Sequence, residues 1–550
     1  MSARRRRRRA LGVTYEHPLA FWIGVAAVTI GTGMQLPMYF MAGDMGYRLV
    51  GMAFDATMIT GMAIMIAGIG LTIYGLFPRF SAMSAGAVSR VKVKALDDAR
   101  LTRTHIGLIL VMAAAITIDV MKPTTLAFVA PGAAAEYGLR SALHPHAGGL
   151  PIALYPLSGI SGTVVGSFLW GWLGDRIGRR ASILVAAVMF IATSTCGAMP
   201  AYPVNLVMCF LMGLGVGGML PIIFSLVSET VPARHRGWII VLIGGDVAGA
   251  YIIISWLAST IAAPDRYGWR MLWLVGIPIS VVLVLLNRWI PESPRFLLQH
   301  GRDDEAWAVM RRYGAQIAED EEAEAVATPE HGHYHQLFRS PFTGLTAVLV
   351  MLAVGIGVVQ YGFQQWIPSN LQKLGYNEVN ASKILRDSAL IGFPLNFPIA
   401  FLYGFWSSRK TIILMAGMTS AALIGFIVAG SSVADNQAIL YLLLVVPIWG
   451  ISSLTAVTAA YASEIYPTHI RARGTGLAAA GTKIGGVLIL AAVAAAVTAP
   501  SISVTALLGA VPILLAIVLL AVYGVETRKK GLEAITAEEL ARTAVQPGLR

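Results

Sequence analysis

Gly171-Trp172-Leu173-Gly174-Asp175-Arg176-Ile177-Gly178-Arg179-Arg180 stands between two apolar stretches of the chain. Arginines by themselves would be explained as anchors at a membrane edge. The aspartate and the three glycines ask for more: a tight turn and close backbone approach. What lies on either side of this decapeptide decides whether it is the mouth of a membrane helix.

Of 550 residues, 56% are hydrophobic and only 13% charged, against about a quarter charged in soluble proteins. Mean hydropathy is +0.69. A membrane span needs about 20 mostly apolar residues, and fourteen stretches meet that: 18–40, 51–77, 104–131, 153–174, 181–199, 204–228, 238–262, 270–290, 343–366, 384–406, 410–430, 437–461, 474–498 and 502–524. With the amino terminus in the cytoplasm, the gaps that fall inside hold Arg4 to Arg9, Arg79 to Arg103, Arg176 to Arg180, Arg234 and Arg236, Arg288 to Arg339, Arg409 and Lys410, Arg471 and Arg473, and Arg528 to Arg550. Together these carry 32 of the 41 Lys and Arg residues, as the positive-inside rule requires. Both termini are expected in the cytoplasm. The net charge of +12 then reads as topology and gives no support to nucleic-acid binding.

The arginine run Arg4 to Arg9 anchors the first helix, and each basic residue near the surface also attracts anionic lipid by about 1 kcal/mol. Cys196 and Cys209 lie within or beside spans and imply no disulfide framework. There is no nucleotide-binding loop, metal-ligand spacing or nucleophile constellation. The expectation is therefore a non-enzyme without cofactor or metal. His331, His333 and His335 read as a solvated loop.

The chain also repeats itself. Glu229-Thr230-Val231-Pro232-Ala233-Arg234-His235-Arg236-Gly237 follows one span, and Glu464-Ile465-Tyr466-Pro467-Thr468-His469-Ile470-Arg471-Ala472-Arg473-Gly474 follows another, their glutamates 235 residues apart. Pro291-Glu292-Ser293-Pro294-Arg295-Phe296 and Val525-Glu526-Thr527-Arg528 close the two six-span sets, with glutamates 234 apart. Gly171 and Gly404 are 233 apart. Three pairs offset by 233 to 235 residues mean two homologous halves of six helices. The second copy of the opening loop, Gly404-Phe405-Trp406-Ser407-Ser408-Arg409-Lys410, is shorter and lacks the aspartate.

These motifs, in this order, resemble the major facilitator superfamily of secondary transporters. They resemble in particular its branch of sugar porters and metabolite:proton symporters, through Pro291 to Leu298 (PESPRFLL) and the glycine-rich Gly213 to Pro221. The resemblance implies an all-α integral membrane protein of two pseudo-symmetric six-helix bundles in parallel arrangement. Here two amino-terminal helices are added, fourteen in all. The domains follow: 1–103 with the two extra helices and a basic linker, 104–290, a cytoplasmic linker 291–342 with the acidic run Glu319 to Glu322, 343–527, and a tail 528–550. The extra helices could meet lipid, an accessory partner or a second copy.

The resemblance also implies a cytoplasmic gate drawn from Gly171, Asp175, Arg176, Gly178, Arg179, Arg180, Glu229, Arg234, Arg236, Glu464, Arg471 and Arg473. Arg176, Arg179 and Arg180 can pair with carboxylates such as Glu229 or with lipid phosphates.

Ionisable residues inside spans cost about 2.5–3.5 kcal/mol each at a helix centre, so they are candidates for function. Asp119 and Lys122 lie three apart, on one helix face, with Pro123, Thr124 and Thr125 following. Aromatic-acid and related proton symporters read Asp-Gly-x-Asp on this helix; Asp119 falls on the first aspartate and Lys122 replaces the second. One reading is a local ion pair. The other makes Asp119 the proton carrier and Lys122 the docking charge for an anionic substrate. The family's arginine before the glycine-rich run is Cys209 here, which leaves transport without protons open. Asp246 is a further intramembrane acid. Gln360, Tyr361, Gln364, Gln365 and Trp366, with Asn396, Trp449 and Lys483, outline a pocket near the membrane midplane for a small polar or aromatic ligand. The expected activity is transport of a small organic metabolite, best an organic or aromatic acid anion, across the cell membrane by proton symport. An uncoupled facilitator, a proton-driven exporter and a non-transporting receptor are the alternatives.

Overall fold

The computed structural model describes residues 9–10, 13–14, 17–76, 96, 99–141, 143–300, 302–315, 334–340, 342–466, 468–496 and 501–527. Arg4 to Arg8, most of the 78–103 linker, Glu319 to Glu322, His331, His333 and the tail beyond 527 lie outside the described residues.

The regular elements of the described residues are helices, apart from a two-residue antiparallel pairing of Arg9–Ala10 with Val13–Thr14 and an isolated bridge between Arg140 and Pro151. In chain order the helices are α1 (Pro18–Gly33), α2 (Leu36–Met41), α3 (Ala56–Leu76), α4 (Arg103–Tyr137), α5 (Leu154–Ile177), α6 (Arg179–Thr193), α7 (Tyr202–Val216), α8 (Met219–Thr230), α9 (Ala233–Gly244), α10 (Val247–Ser259) and α11 (Met271–Leu274). They continue with α12 (Gly276–Leu285), α13 (Pro294–Gln299), α14 (Asp303–Arg312), α15 (Thr343–Gly362), α16 (Ile367–Lys373), α17 (Glu378–Gly392), α18 (Asn396–Phe401), α19 (Ser408–Ala429), α20 (Gln437–Glu464), α21 (Thr468–Ala495) and α22 (Ile502–Tyr523). Hydrocarbon offers no partner for backbone N–H and C=O, so spans must satisfy them internally, as helices do.

Among the described residues, 13 helical segments are long and apolar enough to cross a membrane. The remaining sequence-predicted span, 153–174, is the 24-residue helix α5. Its Ser158, Gly159, Ser161, Gly162, Gly166 and Ser167 dilute its hydropathy. Several spans are broken within: α9 from α10 at Gly245-Asp246, α15 from α16 by the 3₁₀ turn Gln364–Trp366, and α17 from α18 by the 3₁₀ turn Phe393–Leu395. Such breaks free backbone groups only where protein or a polar cavity can satisfy them.

The chain packs as two compact units. The first holds the described parts of Met1–Thr125, Ser161–Arg234 and Thr260–Ala325; the second holds those of Leu126–Ile160, His235–Ser259 and Val326–Arg550. In the first unit α1 and α3 form a close hairpin lying on α6. Small residues permit that approach: a methyl on Gly31 would meet Met65 N at 2.9 Å. Tyr39 Oη donates to the Tyr267 carbonyl and ties the hairpin's tip to the rest of the unit. Helix α6 is buried along nearly its whole length and packs on α12. Arg270 is buried, its Nη1 donating to the carbonyls of Met199 (2.8 Å) and Gly197 (3.2 Å). In the second unit α15 packs on α21 and α22, α19 on α20 and α22, and α17 on α10 and α20.

Candidate functional site

In the first unit, the opening motif is the end of α5, a turn, and the start of α6. Gly178 has φ +95° and ψ 164°, a conformation open essentially to glycine alone. A methyl there would sit on the Glu292 carboxylate, 2.7 Å from its Cδ. That carboxylate accepts from the backbone N–H of Arg179 (2.7 Å), Arg180 (3.3 Å) and Ser293 (3.0 Å). It thus occupies the positive end of the α6 dipole, where an anion is stabilised. Burial pushes Glu292 above the usual carboxylate range, opposed by these three N–H donors and by Arg179.

Ser293 Oγ donates to Glu229, which also accepts from Ser225 Oγ at 3.0 Å, and Arg179 Nη2 lies 3.8 Å from Glu229. Arg179 Nη1 also donates to Gly174 O (2.8 Å), and Arg180 to Asn287 O (2.6 Å). Arg176 is exposed over the Trp172 ring at 4.1 Å. Of the close approaches expected at the three glycines, only that at Gly178 is found. Gly171 has open space where a Cβ would go, and Gly174 makes ordinary contacts at 3.8 Å. The side chain of Asp175 lies outside the described residues.

Also in the first unit, Asp119 and Lys122 are both buried, at 0% and 4% exposure. Lys122 Nζ donates to Ser194 Oγ at 2.7 Å, and Ser194 in turn donates to Phe190 O at 3.0 Å. A methyl on Gly276 would collide with that ammonium. Cys209 is buried, its sulfur 3.9 Å from Asn205 Oδ1. Cys196 and Cys209 are free thiols.

In the second unit Asp246, Gln364, Gln365, Trp366 and Asn396, singled out from sequence, lie at the helix breaks, whereas Gln360, Tyr361 and Lys483 stand within α15 and α21. Gln364 Nε2 donates to Pro447 O at 3.1 Å, which sets the turn 364–366 against α20 beside Trp449. Trp449 Cβ packs where a side chain at Gly392 would stand. Asn396 Nδ2 donates to Gly245 O (3.2 Å), and Ser453 Oγ, one helical turn beyond Trp449, donates to Asn396 Oδ1 (2.9 Å). Asp246 follows Gly245 at the α9–α10 break and is half-buried, as are Gln360, Tyr361 and Lys483. Among the buried donors with no acceptor among the described residues are Gln365 Nε2, Trp366 Nε1, Asn370 Nδ2 and Trp449 Nε1, beside the hydroxyls of Tyr251, Thr419, Ser420 and Thr458 in the same unit. Native proteins rarely leave such groups unsatisfied.

The second unit's counterpart of the gate is built differently. Glu464 accepts from Tyr403 Oη (2.8 Å) and Thr527 Oγ1 (2.6 Å). Glu526 accepts from Ser407 Oγ, from Ser408 Oγ (2.7 Å) and from Ser408 N (2.9 Å). Arg236 is half-buried; Arg234, which belongs to the first unit, is exposed. Arg473 lies over the Tyr334 ring at 5.6 Å. The side chain of Arg471 lies outside the described residues.

Residues 157–538 match the family model described as "Sugar (and other) transporter". The chain belongs to that family. Its relatives include the niacin transporter NiaP of Acinetobacter baylyi, 28% identical over 72% of this chain and 88% of that protein. They also include the putative metabolite transport protein YdjK of Escherichia coli, 30% identical over 69% and 85%. The solved structure of the proton:xylose symporter XylE superposes with a TM-score of 0.61 at 18% identity, covering 80% of this chain and all of that one. The protein is thus a multi-pass transporter of the major facilitator superfamily, with the fold of the sugar porters, in the cell membrane. It is a carrier rather than an enzyme.

For this transporter, the sequence did not single out Ser194, Asn370 or Ser453. Asn370 carried a usable signal, since it stands one helical turn after Trp366 on the same face. Ser194, inside Thr193-Ser194-Thr195 at the end of an apolar helix, carried none.

Proposed function

We propose that this transporter carries a small organic acid anion across the cell membrane by alternating access, as a proton symporter. The observation that carries the reading is that four of the second unit's buried side-chain N–H donors, on Gln365, Trp366, Asn370 and Trp449, have no acceptor among the described residues. A carboxylate offers two oxygens and about four lone-pair sites and no donor, so it is the complement of such a set. The two indoles add flat apolar faces for a ring. Niacin, which one relative is named for transporting, is a carboxylate on an aromatic ring. In the first unit, Asp119 is the proposed proton carrier. Lys122, three residues along the same helix, supplies the positive charge that keeps this buried cluster from carrying a net negative charge when Asp119 is ionised.

Transport without proton coupling is the second reading. It is favoured by Cys209, which stands where the family resemblance leads one to expect an arginine. The test is uptake into proteoliposomes of labelled nicotinate, benzoate and xylose, with and without an imposed pH gradient. Nicotinate or benzoate uptake driven by an inward proton gradient supports symport. Uptake indifferent to the gradient supports the second reading, and xylose uptake without acid uptake refutes the anion. Trp449→Phe should weaken binding of the transported acid about tenfold or more, the value of one hydrogen bond to a charged group at about 1.5–3 kcal/mol.

A further inference from the structure

Glu464 and Glu526 are the second-half equivalents of Glu229 and Glu292, and they stand in a chain of hydroxyls. Its oxygen–oxygen contacts can be followed one by one: Tyr403 Oη to Glu464 Oε2 (2.8 Å), Glu464 Oε2 to Thr527 Oγ1 (2.6 Å), Thr527 Oγ1 to Ser408 Oγ (2.8 Å), Ser408 Oγ to Glu526 Oε1 (2.7 Å), and Glu526 Oε2 to Ser407 Oγ. That makes five contacts at hydrogen-bond distance. Each needs one hydrogen between its oxygens, since two bare oxygens at this separation repel. Only four of these oxygens belong to hydroxyls, those of Tyr403, Thr527, Ser408 and Ser407, and each hydroxyl brings one hydrogen. With both carboxylates ionised, the chain is one hydrogen short.

The first half points to the same deficit by a separate route. There Ser293 Oγ donates to Glu229 and Ser225 Oγ donates to Glu229: two contacts and two hydrogens, a closed account. The residue after the helix N-cap is Arg179, whose guanidinium lies 3.8 Å from Glu229. In the second half the N-cap is Ser407 and the residue after it is Ser408. A positive charge in one half is a neutral hydroxyl in the other, at the same register of the same helix start. The four hydroxyl residues are all buried, with Ser408 at 1%, Tyr403 at 3%, Thr527 at 5% and Ser407 at 6% exposure. Tyr403 is presented by a π-helical turn, Leu402–Trp406, a local widening that recurs at functional sites.

We propose that this cluster is a binding site for one proton, held between Glu464 and Glu526 and relayed by the Thr527 and Ser408 hydroxyls. With the proton on Glu464 Oε2, that oxygen donates to Thr527, Thr527 to Ser408 and Ser408 to Glu526. With it on Glu526 Oε1, every one of those donations reverses. In both states all five contacts are filled. The site latches the start of α19 to the end of α20 and to the segment after α22. Loss of the proton to water opens one contact and leaves two carboxylates joined by a chain without enough hydrogens.

The charged groups around it do not replace that proton. Arg236 on α9 acts electrostatically on Glu464. Arg409 Nη2 donates to Ala521 O, Lys410 lies over the Trp406 ring and Arg473 over the Tyr334 ring. The side chain of Arg471, seven residues after Glu464, lies outside the described residues. A cation lowers the cost of negative charge, but it cannot place a hydrogen between Ser408 and Thr527.

Infrared spectroscopy of the purified full chain in detergent, at neutral pH in H2O and D2O, reads the protonated-carboxyl C=O stretch. The wild type should show one deuterium-sensitive protonated carboxyl more than three variants do. Glu464→Gln supplies the missing hydrogen permanently through its amide. Thr527→Val removes two contacts and one hydrogen, and Ser408→Ala does the same, so neither needs the proton although both keep the two carboxyls. If either cut of the relay fails to fold, the other makes the same test. A carboxyl band unchanged in Glu464→Gln, or unchanged in a folded Thr527→Val or Ser408→Ala, overturns the proposal. The measurement involves no substrate, so it stands or falls separately from the transport reading.

Discussion

Of the three glycines in the opening motif, only Gly178 should be indispensable. Replacing it with alanine forces a Cβ into φ +95°, ψ 164°, a region whose occupation by other residues costs about 1–3 kcal/mol. The same Cβ displaces the Glu292 carboxylate from the N–H groups of Arg179 and Arg180. Loss of a helix cap is worth about 0.5–2 kcal/mol. The expected loss in Gly178→Ala is therefore about 1.5–5 kcal/mol. Gly171→Ala, in a helix and facing open space, should instead gain about 0.5–1 kcal/mol. Equilibrium unfolding of the purified protein in micelles measures both. A double-mutant cycle then separates strain from collision: in a Glu292→Ala background, the penalty of Gly178→Ala should shrink to the strain alone. A Gly178→Ala loss under about 1 kcal/mol, or strict additivity with Glu292→Ala, would refute this account of the motif.

Ser194→Ala should cost about 1.5–3 kcal/mol, because it removes the acceptor of a buried ammonium; a thermal melt indistinguishable from wild type would show that Lys122 is held elsewhere. Glu292 gives a pH dependence with a definite sign. Its folded value is raised by burial, so the folded state binds its proton more tightly than the unfolded chain does. Stability should then fall as pH rises from the ordinary glutamate value, near 4.3, through the raised folded value, and Glu292→Gln should flatten that slope in unfolding titrations from acid to neutral pH. In the amino-terminal hairpin, Gly31→Val places a side chain against Met65 N and Cα and should destabilise by at least the 1–3 kcal/mol typical of overpacking, roughly. An unshifted melt would mean that the hairpin does not pack at Gly31.

The spans were legible because lipid imposes one rule on all of them: long apolar runs whose backbone satisfies itself. The breaks inside them were not. Gly245-Asp246 and Gln364–Trp366 look like ordinary polar interruptions until the chain folds and places Asn396 on Gly245 and Gln364 on Pro447. Lys122 was legible as a residue too costly to be idle, yet its partner was not, since a serine in an apolar helix has no periodic signature. The motif's logic was only half legible for a similar reason. Glu292 is recognisable as the end of a repeat, but nothing in a linear reading says that its carboxylate caps α6, a helix that begins more than a hundred residues earlier.

The repeat itself carries the most information where its two copies disagree. Both halves seat a glutamate at the N-terminus of a helix, Glu292 on α6 and Glu526 on α19, and follow it with a hydroxyl that reaches a second glutamate. Shared architecture fixes that much. What differs is the first residue of the helix: a permanent cation, Arg179, beside the second carboxylate in the first half, and in the second half Ser408, whose hydroxyl joins Glu526 to Thr527 and through it to Glu464. An arginine keeps its charge at any pH the protein meets, so the first half's cluster is insensitive to protons in that respect. Substituting a hydroxyl hands the same role to whatever cation can fit between two oxygens, and only a proton is small enough. The departure that looked like decay of the motif at Ser407 and Ser408 thereby exchanges a permanent cation for a hydroxyl relay that takes up a proton.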